Sequence, residues 1–188
     1  MGLPLLLDVG SRTIEVREFV PADEPAVADL FQASADWFET ATGSLPSDGD
    51  VQSLFYSLPE GADPKGKRVL VVVEGSHEFE VVGLVEAVVG HPGPTGCAVG
   101  LFLIRTDRRR QGLGAAVANA LLEQAADDGV AVVTATNTLG WTPGEAFLRS
   151  MGFELSEQEL ERGDVVGNRS VGPRERPVIG ARLSLHPQ

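Results

Sequence analysis

Runs of alternating or continuous hydrophobic residues predict seven β-strands. Residues 13–19 alternate between apolar and polar side chains, which is the period of a half-buried strand. The later runs are apolar and rich in β-branched residues, which is typical of strands near the centre of a sheet. Residues 163–176 are polar and predict a loop. The predicted strands cover residues 13–19, 68–74, 81–89, 97–104, 130–135, 153–160 and 178–185.

Four segments between these strands predict helices. Apolar residues fall on one helical face after Asp23, and residues 51–58 predict a short second helix. Residues 112–128 carry an apolar residue every four positions, and Gly129 ends this third helix as a C-terminal cap. Pro143 opens the fourth. Because the third helix connects two neighbouring strands and such crossovers join parallel strands, we expect a mixed sheet with helices on its faces.

The composition fits one domain. The chain has 188 residues, 43% of them hydrophobic, so we expect a single domain over residues 1–188 with its core at about 12–185. No run reaches the roughly 18 to 20 apolar residues that a membrane helix needs, and residues 1–8 lack the features of a secretion signal. We therefore expect a cytoplasmic protein without a membrane partner.

Cys97 is the only cysteine of the chain. No internal disulfide and no Cys-rich zinc site can form, and no metal site is expected. A single thiol in an apolar segment is more often a small core residue than a nucleophile, so we interpret Cys97 as part of the core.

The charge distribution combines an acidic chain with one basic cluster. A net charge of −12 argues against non-specific nucleic-acid binding and would attract a cationic partner. Four arginines nevertheless lie within six residues: Arg105, Arg108, Arg109 and Arg110. This cluster predicts a bound anion, because arginine makes charge-assisted hydrogen bonds to phosphate and carboxylate. The alternative is a solvated run of charge.

Residues 109–114, Arg-Arg-Gln-Gly-Leu-Gly, connect a predicted strand to a predicted helix. The free N–H groups and the dipole at a helix N-terminus favour phosphate, and glycines allow it to approach closely. The segment lacks the Gly-Lys-Ser/Thr of a P-loop, and Val117 stands where a dinucleotide fingerprint needs its third Gly. It therefore predicts a phosphate site of another kind, with an ordinary strand–helix turn as the alternative.

The same segment resembles the signature of the GNAT superfamily of N-acetyltransferases: Arg or Gln, two residues, Gly, one residue, then Gly or Ala. Arg109, Gly112 and Gly114 match it. Three further segments are similar to the family's first strand, its fourth strand and the end of its last helix: residues 16–23, 100–104 and 152–154. The resemblance implies an α/β fold with a mixed, mostly antiparallel sheet of six to seven strands, flanked by helices on both faces and splayed around the fourth strand.

The resemblance also implies acetyl-coenzyme A (acetyl-CoA) as the coenzyme. Its pyrophosphate would lie on residues 111–115, and backbone groups of residues 102–104 would hold the pantetheine arm. Asn137 matches a frequent family Asn that bonds the pantetheine or a bridging water; the alternative is a turn residue that ends a strand. The implied coenzyme-binding residues are Phe102, Leu103, Ile104, Arg109, Arg110, Gln111, Gly112, Leu113, Gly114, Ala115, Asn137 and Phe147.

Family members usually work by direct attack of an amine on the thioester, so no covalent nucleophile is required. Backbone N–H groups of Ile104 or Leu103 would stabilise the oxyanion. Glu86 is the predicted base, because a carboxylate in an apolar strand is costly unless it is paired or lies in a cleft. The alternative is a solvated outward position. The predicted catalytic residues are Glu86, Ile104 and Asn137.

Four other residues are further candidates for the site. His91 has a suitable ordinary pKa of about 6.5 but also fits an exposed turn. Asp36 and Glu39 follow the first predicted helix, where the family often forms its acceptor pocket, and surface charge is the alternative. Trp141 would either cover the site or pack in the core.

The general acid departs from the family pattern. Many relatives have Tyr four residues before the Gly-Phe pair, whereas Leu148 stands there in this chain. Tyr56, the only tyrosine, is far away in sequence. Because a coenzyme A thiol resembles free Cys, with a pKa near 8.5, its thiolate is a tolerable leaving group without an acid.

The predicted function is transfer of an acetyl group from acetyl-CoA to a primary amine of a small molecule. Two alternatives stay open: a coenzyme-binding module without turnover, and a protein acetyltransferase acting on a lysine or an N-terminus. Residues 178–185 would be an edge strand that could pair across a homodimer. Neither a nucleic-acid partner nor a metal is expected.

Overall fold

The computed structural model describes residues 2–75, 79–160 and 177–185, which contain one eight-stranded sheet. Its order is β1-β2-β3-β4-β5-β6-β8-β7, and only the β5–β6 pair is parallel. The strands are β1 Leu5–Val9, β2 Arg12–Glu18, β3 Lys67–Glu74, β4 Glu80–Val89, β5 Gly96–Ile104, β6 Val132–Thr138, β7 Glu154–Leu160 and β8 Val178–Ser184. The predicted mixed and mostly antiparallel sheet is confirmed.

Five helices flank the sheet in the described part of the chain: α1 Glu24–Gln32, α2 Ala35–Thr42, α3 Gly49–Tyr56, α4 Leu113–Asp127 and α5 Thr142–Ser150. The helices α1–α3 cover one face, and α4 covers the other. None of the helices in these ranges combines the length and the hydropathy needed to cross a bilayer.

The two faces of the sheet arise from strict alternation along its central strands. In β3, Val69, Val71 and Val73 pack against α1–α3, whereas Leu70 and Val72 pack against α4. Because both faces are covered, β3 and β4 are almost continuously apolar. Each fully buried side chain of this size contributes roughly 1.5 to 3 kcal/mol, so this part of the sheet anchors the fold.

The strands β5 and β6 separate after a short parallel ladder. Residues 96–99 pair with residues 132–135, and beyond this point β6 pairs only with β8. The register of β4 against β5 shifts at Glu86 and Ala87, so that Gly100 is an extra residue in a β-bulge. A Cβ at Gly100 would lie 2.8 Å from Oε2 of Glu86, so only glycine fits beside this carboxylate. The sheet is therefore splayed at β5, the fourth predicted strand.

Three sequence-based expectations need correction. The sheet has eight strands rather than six to seven, because the unpredicted segment Leu5–Val9 pairs with β2. The sixth strand runs over Val132–Thr138 rather than 130–135. The strand at 178–184 lies between β6 and β7, so it is not the edge strand that the dimer hypothesis required. The loop predicted for 163–176 falls outside the described residues.

Candidate active site

The loop at residues 109–114 enters α4 through two residues in the left-handed region. Arg110 has φ 61° and Gly112 has φ 81°. Gly112 is the N-cap of α4 and no side chain caps the helix, while the Ala116 N–H donates to the Gly112 carbonyl at 3.0 Å. The N–H groups of the first turn before Ala116 precede that first helical bond and have no intrahelical partner. Together with the helix dipole, they form a site that fits an anion.

Arg12 of β2 is hydrogen-bonded to this loop. Its guanidinium donates to the carbonyl of Gln111 at 3.0 Å and to the Gln111 side-chain oxygen at 3.1 Å. The Gln111 amide in turn donates to the Asp107 carbonyl at 2.9 Å. Sequence reasoning missed Arg12, because 99 residues separate it from Gln111 and no local pattern connects them.

Arg109 connects the loop to the opposite side of the cleft. Its Nε donates to the Ile104 carbonyl at 2.8 Å, and Nη1 donates to Asp36 of α2 at 2.6 Å. The guanidinium carbon lies 5.4 Å from the centre of the Trp141 ring. The remaining Nη2 is buried and has no hydrogen-bond partner among the described residues. A buried donor without a partner is costly, so Nη2 fits an oxygen of a bound ligand.

Two of the four clustered arginines form ion pairs on the surface of the fold, and the other two line the cleft. Arg105 pairs with Glu80 and Asp107, and Arg108 pairs with Glu74, Glu80 and Asp107. The expectation that the four arginines together hold an anion is therefore wrong for these two. Arg109 and Arg110 line the cleft instead, and Arg110 makes no ion pair with any described residue.

A cavity of about 380 Å³ joins the loop to the splayed strands. It is lined by nine of the predicted coenzyme-binding residues: Phe102, Leu103, Ile104, Arg109, Arg110, Gly112, Gly114, Ala115 and Phe147. Phe102 and Phe147 stack with ring centres 5.3 Å apart, and a Cβ at Gly114 would reach within 3.6 Å and 3.8 Å of these rings. The glycine thus keeps the floor of the cavity open.

The other three predicted coenzyme residues take different positions. Leu113 is fully buried in the core between α4 and the sheet, which leaves only its backbone for a ligand. Gln111 is held by Arg12, as described above. Asn137 donates to the carbonyls of Thr138 at 2.9 Å and Trp141 at 3.0 Å, so both amide hydrogens hold the turn before α5. Its predicted role toward a ligand is thereby limited to its side-chain oxygen.

A second cavity of about 160 Å³ lies beyond the first, between α4, α5 and the sheet. The two cavities share five wall residues: Trp37, Phe102, Trp141, Gly144 and Phe147. Leu148, the residue in place of the family Tyr, lines the second cavity, whereas Tyr56 is 84% exposed on α3. No tyrosine hydroxyl therefore lies in either cavity.

The register of β5 decides which backbone groups face the cleft. The Arg105 N–H donates to the Val82 carbonyl at 2.9 Å, and hydrogen-bonded positions alternate along an antiparallel strand. The N–H of Leu103 therefore points toward β4, while those of Phe102 and Ile104 point toward the splay. The Arg109 contact to the Ile104 carbonyl agrees with this direction. Of the two predicted oxyanion donors, Ile104 is oriented for the role and Leu103 is not.

Glu86 is buried beside the bulge rather than solvated. Its side chain is 6% exposed, its Oε1 pairs with the Lys67 ammonium, and Lys67 also donates to the Ser57 carbonyl. Its Oε2 lies against Gly100 at the divergence of β5 and β6. Glu86 lines neither cavity, so its role as the base stays a prediction.

The remaining candidate residues differ in whether they lie near the two cavities. His91 lies in the turn before β5, at the end of the strand opposite the 109–114 loop. Five strand residues separate this turn from Leu101, which corresponds to more than roughly 15 Å along β5, so His91 is far from the loop. Glu39 is exposed. Trp141 and Trp37 line both cavities, so Trp141 covers the site as one alternative predicted. The sequence pattern does not single out Trp37 as a residue of the site.

Asp36 is an exposed carboxylate that is hydrogen-bonded to the 105–109 segment. It accepts hydrogen bonds from Arg109 and from the Thr106 hydroxyl, the latter at 2.9 Å. Burial raises the pKa of Asp36, but the hydrogen bonds from Arg109 and Thr106 outweigh burial, so the pKa falls below its ordinary value. Asp36 therefore stays ionised and ties α2 to the loop.

Cys97 is buried at the start of β5 and lines the second cavity. Burial raises its pKa to about 11, because the apolar surroundings disfavour the thiolate. Such a thiol is a poor nucleophile at neutral pH, in agreement with its interpretation as a core residue.

Solved structures with a similar fold include three acetyltransferases. An acetyltransferase from Thermus thermophilus has a TM-score of 0.66 and 24% identity, and the match covers 92% of this chain and 97% of that one. Spermidine N-acetyltransferase from Vibrio cholerae, in complex with CoA and spermine, has a TM-score of 0.64 and 13% identity, with coverage of 91% and 95%. An acetyltransferase from Salmonella typhimurium that modifies the N-terminal serine of ribosomal protein L7/L12 has a TM-score of 0.68 and 14% identity, with coverage of 97% and 100%. At these identities the likeness concerns the fold.

A comparison with curated protein sequences returned no match. Residues 30–153, in contrast, match the acetyltransferase (GNAT) family, a segment that begins in α1 and ends just before β7. This segment includes the 109–114 loop, the splayed strands and the residues that line both cavities. The chain therefore belongs to the acetyltransferase (GNAT) family of enzymes.

Proposed function

We propose that this enzyme transfers the acetyl group of acetyl-CoA to a primary amine of a small, positively charged molecule. The observation that carries the proposal is the cavity that leads from the uncapped N-terminus of α4 to the divergence of β5 and β6. Members of the GNAT family use acetyl-CoA, and the unpartnered Nη2 of Arg109 supports the fit of this coenzyme to these residues.

Main-chain groups do most of the binding in this proposal. The N–H groups of the first turn of α4, with Arg109 and Arg110, bind the phosphates. The N–H group of Phe102 holds the pantetheine arm, and that of Ile104 stabilises the developing oxyanion. Acetyl-CoA supplies an activated acyl group on a sulfur that leaves without help from an acid.

The charge of the opposite wall supports a cationic acceptor. Residues 20–64, which form α1–α3, contain no Lys, Arg or His. Their carboxylates are Asp23, Glu24, Asp29, Asp36, Glu39, Asp48, Asp50, Glu60 and Asp63. A field of one sign raises the local concentration of an oppositely charged substrate, so this segment favours an amine that is cationic in solution.

A small acceptor is supported by the contact between α2 and the 109–114 loop. Asp36 and Arg109 bridge the two elements, and Trp37 and Trp141 stand on the same walls. This closure favours an enclosed acceptor pocket over the open groove that a protein substrate would need. The solved acetyltransferases of similar fold include both substrate types.

Glu86 is the proposed acceptor of the amine proton, at Oε2 beside Gly100. The Lys67 ammonium pairs with Oε1, which fixes the orientation of the carboxylate. Because Glu86 lies outside the cavity walls, the proton travels through a water molecule in this proposal.

The coenzyme site is tested by thermal unfolding with and without acetyl-CoA in the wild type, Gly112→Glu and Gly129→Glu. Both glycines have φ above 80° and open space at the Cβ, but Gly112 begins α4 and Gly129 follows its end. Acetyl-CoA at a hundredfold its dissociation constant should stabilise the wild type and Gly129→Glu by about 2.7 kcal/mol. The shift should be absent in Gly112→Glu, and a wild type without a shift would refute the proposed coenzyme.

Turnover is tested by thiol release with three acceptors: an aliphatic diamine, a neutral hydroxylamine ether and a lysine-containing peptide. The proposal expects the diamine to be the best substrate. Preference for the peptide would assign protein acetylation instead. Coenzyme binding without thiol release from any amine would favour a binding module, the alternative that the missing tyrosine supports.

A further inference from the structure

The second cavity is an apolar space that the proposed acetyl transfer leaves unused. Its inner walls come from α4, the parallel part of β5 and β6, and the segment after α5, and they include Val99, Ala118, Ala125, Val133, Met151 and Phe153. The wall has one charged side chain among the described residues, Arg68, whose Nη1 donates to the carbonyls of Lys65 and Lys67, each at 2.8 Å. The space suits a ligand without charge.

The second cavity continues from the coenzyme cavity at the point where the strands diverge. The parallel ladder ends at Val99 and Ala135, both strands contribute to the wall, and Gly100 leaves the bulge without a side chain. The two cavities meet along the stacked rings of Phe102 and Phe147. A group carried on a coenzyme in the first cavity therefore lies across this shared wall from the second cavity.

Small residues keep this space open. Protein interiors are packed so that few voids exceed a water molecule, and an unfilled apolar cavity destabilises a core in proportion to its volume. Ala118 is 9% and Ala125 is 4% exposed, both on the buried side of α4, where a leucine would fill part of the space. A cavity of about 150 Å³ is known to hold benzene, so a space of this size accommodates about six carbons.

We infer that the second cavity binds the acyl chain of the donor, so that the enzyme accepts straight acyl chains of up to about six carbons as well as acetyl and binds these longer donors more tightly. This inference rests on the proposed coenzyme site and extends its donor class. The reaction is otherwise unchanged: the acceptor's ammonium group first loses one proton to solvent, and the neutral amine nitrogen then bonds to the acyl carbon. The C–S bond breaks with its electron pair on sulfur, and the second amine proton passes through water to Glu86. The thiolate takes a proton from solvent.

The inference is tested by calorimetric titration of CoA, acetyl-CoA, butyryl-CoA, hexanoyl-CoA and decanoyl-CoA into the wild type, Ala118→Leu and Ala126→Leu. Ala126 is half-buried on the same helix and lines neither cavity. Each buried methylene strengthens binding about fourfold at most. Hexanoyl-CoA should therefore bind the wild type and Ala126→Leu at least tenfold more tightly than acetyl-CoA, and decanoyl-CoA should lose this gain.

In Ala118→Leu, the ratio of hexanoyl-CoA to acetyl-CoA affinity should fall to about one. If that variant does not fold, Leu122→Phe on the same wall provides the same test. Hexanoyl-CoA binding no more tightly than acetyl-CoA in the wild type overturns the inference and leaves the proposed function intact. Binding of neither CoA nor any of its thioesters would refute the proposed function itself.

Discussion

The 109–114 loop and the α1–α3 face border the same cleft but use different chemistry. The loop offers main-chain N–H groups, two glycines and an arginine with an unpartnered nitrogen. The two buried carboxylates described on the α1–α3 face are paired: Asp23 with Arg17, and Glu86 with Lys67. Substitutions in the loop should therefore change ligand binding at constant stability, whereas substitutions of the pairs should change stability first.

The largest effect is expected from Lys67→Met, which leaves Glu86 buried without its partner. Removing one member of a buried ion pair typically costs about 3 to 5 kcal/mol. Urea unfolding should show a loss of this size in the free energy of unfolding. The double variant Lys67→Met/Glu86→Leu, which removes both charges, should recover most of it. A loss below about 1 kcal/mol in the single variant would contradict the distinction between the two regions.

Glu86→Gln sharpens the same comparison, because it separates a structural carboxylate from a proton acceptor. Gln keeps the size of the side chain and can still accept from Lys67. If Glu86 is the base, kcat of the folded variant should fall by about 10² to 10⁴ while acetyl-CoA affinity is retained. A kcat within threefold of wild type would assign Glu86 to structure alone.

The next largest effect is expected from Arg109→Ala, compared with Arg108→Ala as its matched control. Arg109 lines the coenzyme cavity, whereas Arg108 does not and pairs with Glu74 and Glu80. Loss of charge-assisted hydrogen bonds worth about 1.5 to 3 kcal/mol should weaken CoA binding roughly 10- to 150-fold in calorimetry. Arg108→Ala should stay within threefold. Equal losses in both variants would indicate a general effect of charge.

A smaller, pH-dependent effect is expected for Asp23. Two hydrogen bonds from Arg17, at 2.7 Å and 2.8 Å, lower the pKa of this carboxyl below its ordinary 3.8, against the opposing effect of burial. Its contribution to stability is therefore complete above pH 3.8 and disappears as the pH falls through the lower folded pKa. Asp23→Asn should cost about 2 kcal/mol at pH 7. As the pH falls below 3.8, the difference in the free energy of unfolding between Asp23→Asn and wild type should shrink in urea unfolding, and a constant difference would contradict this expectation.

The smallest effect on stability is expected for Asp36→Asn, which belongs to both regions. The Asp36 side chain is 43% exposed, so solvent screens its pair with Arg109 and the loss of stability should stay below about 0.5 kcal/mol. Asn retains the acceptor for Thr106 but not the charge opposite Arg109. We expect CoA affinity to change by less than threefold and KM for the amine to rise. A larger loss of stability than in Asp23→Asn would reverse the proposed order.

Features that depend on neighbouring residues are predictable from the sequence. The 109–114 loop, α4 and the β5–α4–β6 crossover follow from glycine spacing and apolar periodicity within about 40 consecutive residues. Eight of the nine predicted coenzyme-binding residues that line the first cavity lie in this segment, and Phe147 follows it closely. The direction of the Ile104 N–H requires the register against β4, which the sequence pattern does not reveal.

Features that depend on distant contacts are not predictable in this way. Asp36 fits surface charge until Arg109, 73 residues later, is placed against it. Glu86 fits a solvated or a buried position equally until Lys67 is found beside it. The N-terminal strand escaped prediction because only pairing with β2 makes Leu5–Val9 a strand. The insertion of β8 between β6 and β7 is likewise a matter of topology rather than of local pattern.

The divergence of β5 from β6 after four residue pairs leaves a signature in amide hydrogen exchange. Leu103 is protected by its bond to β4, whereas Phe102 and Ile104 on either side of it face a cleft instead of a strand. Deuterium should therefore enter β5 in an alternating pattern, fast at Phe102 and Ile104 and slow at Leu103. A ligand that takes the place of the missing strand would slow exchange only at Phe102 and Ile104. Hydrogen exchange along β5 alone would therefore show whether the cleft holds a ligand.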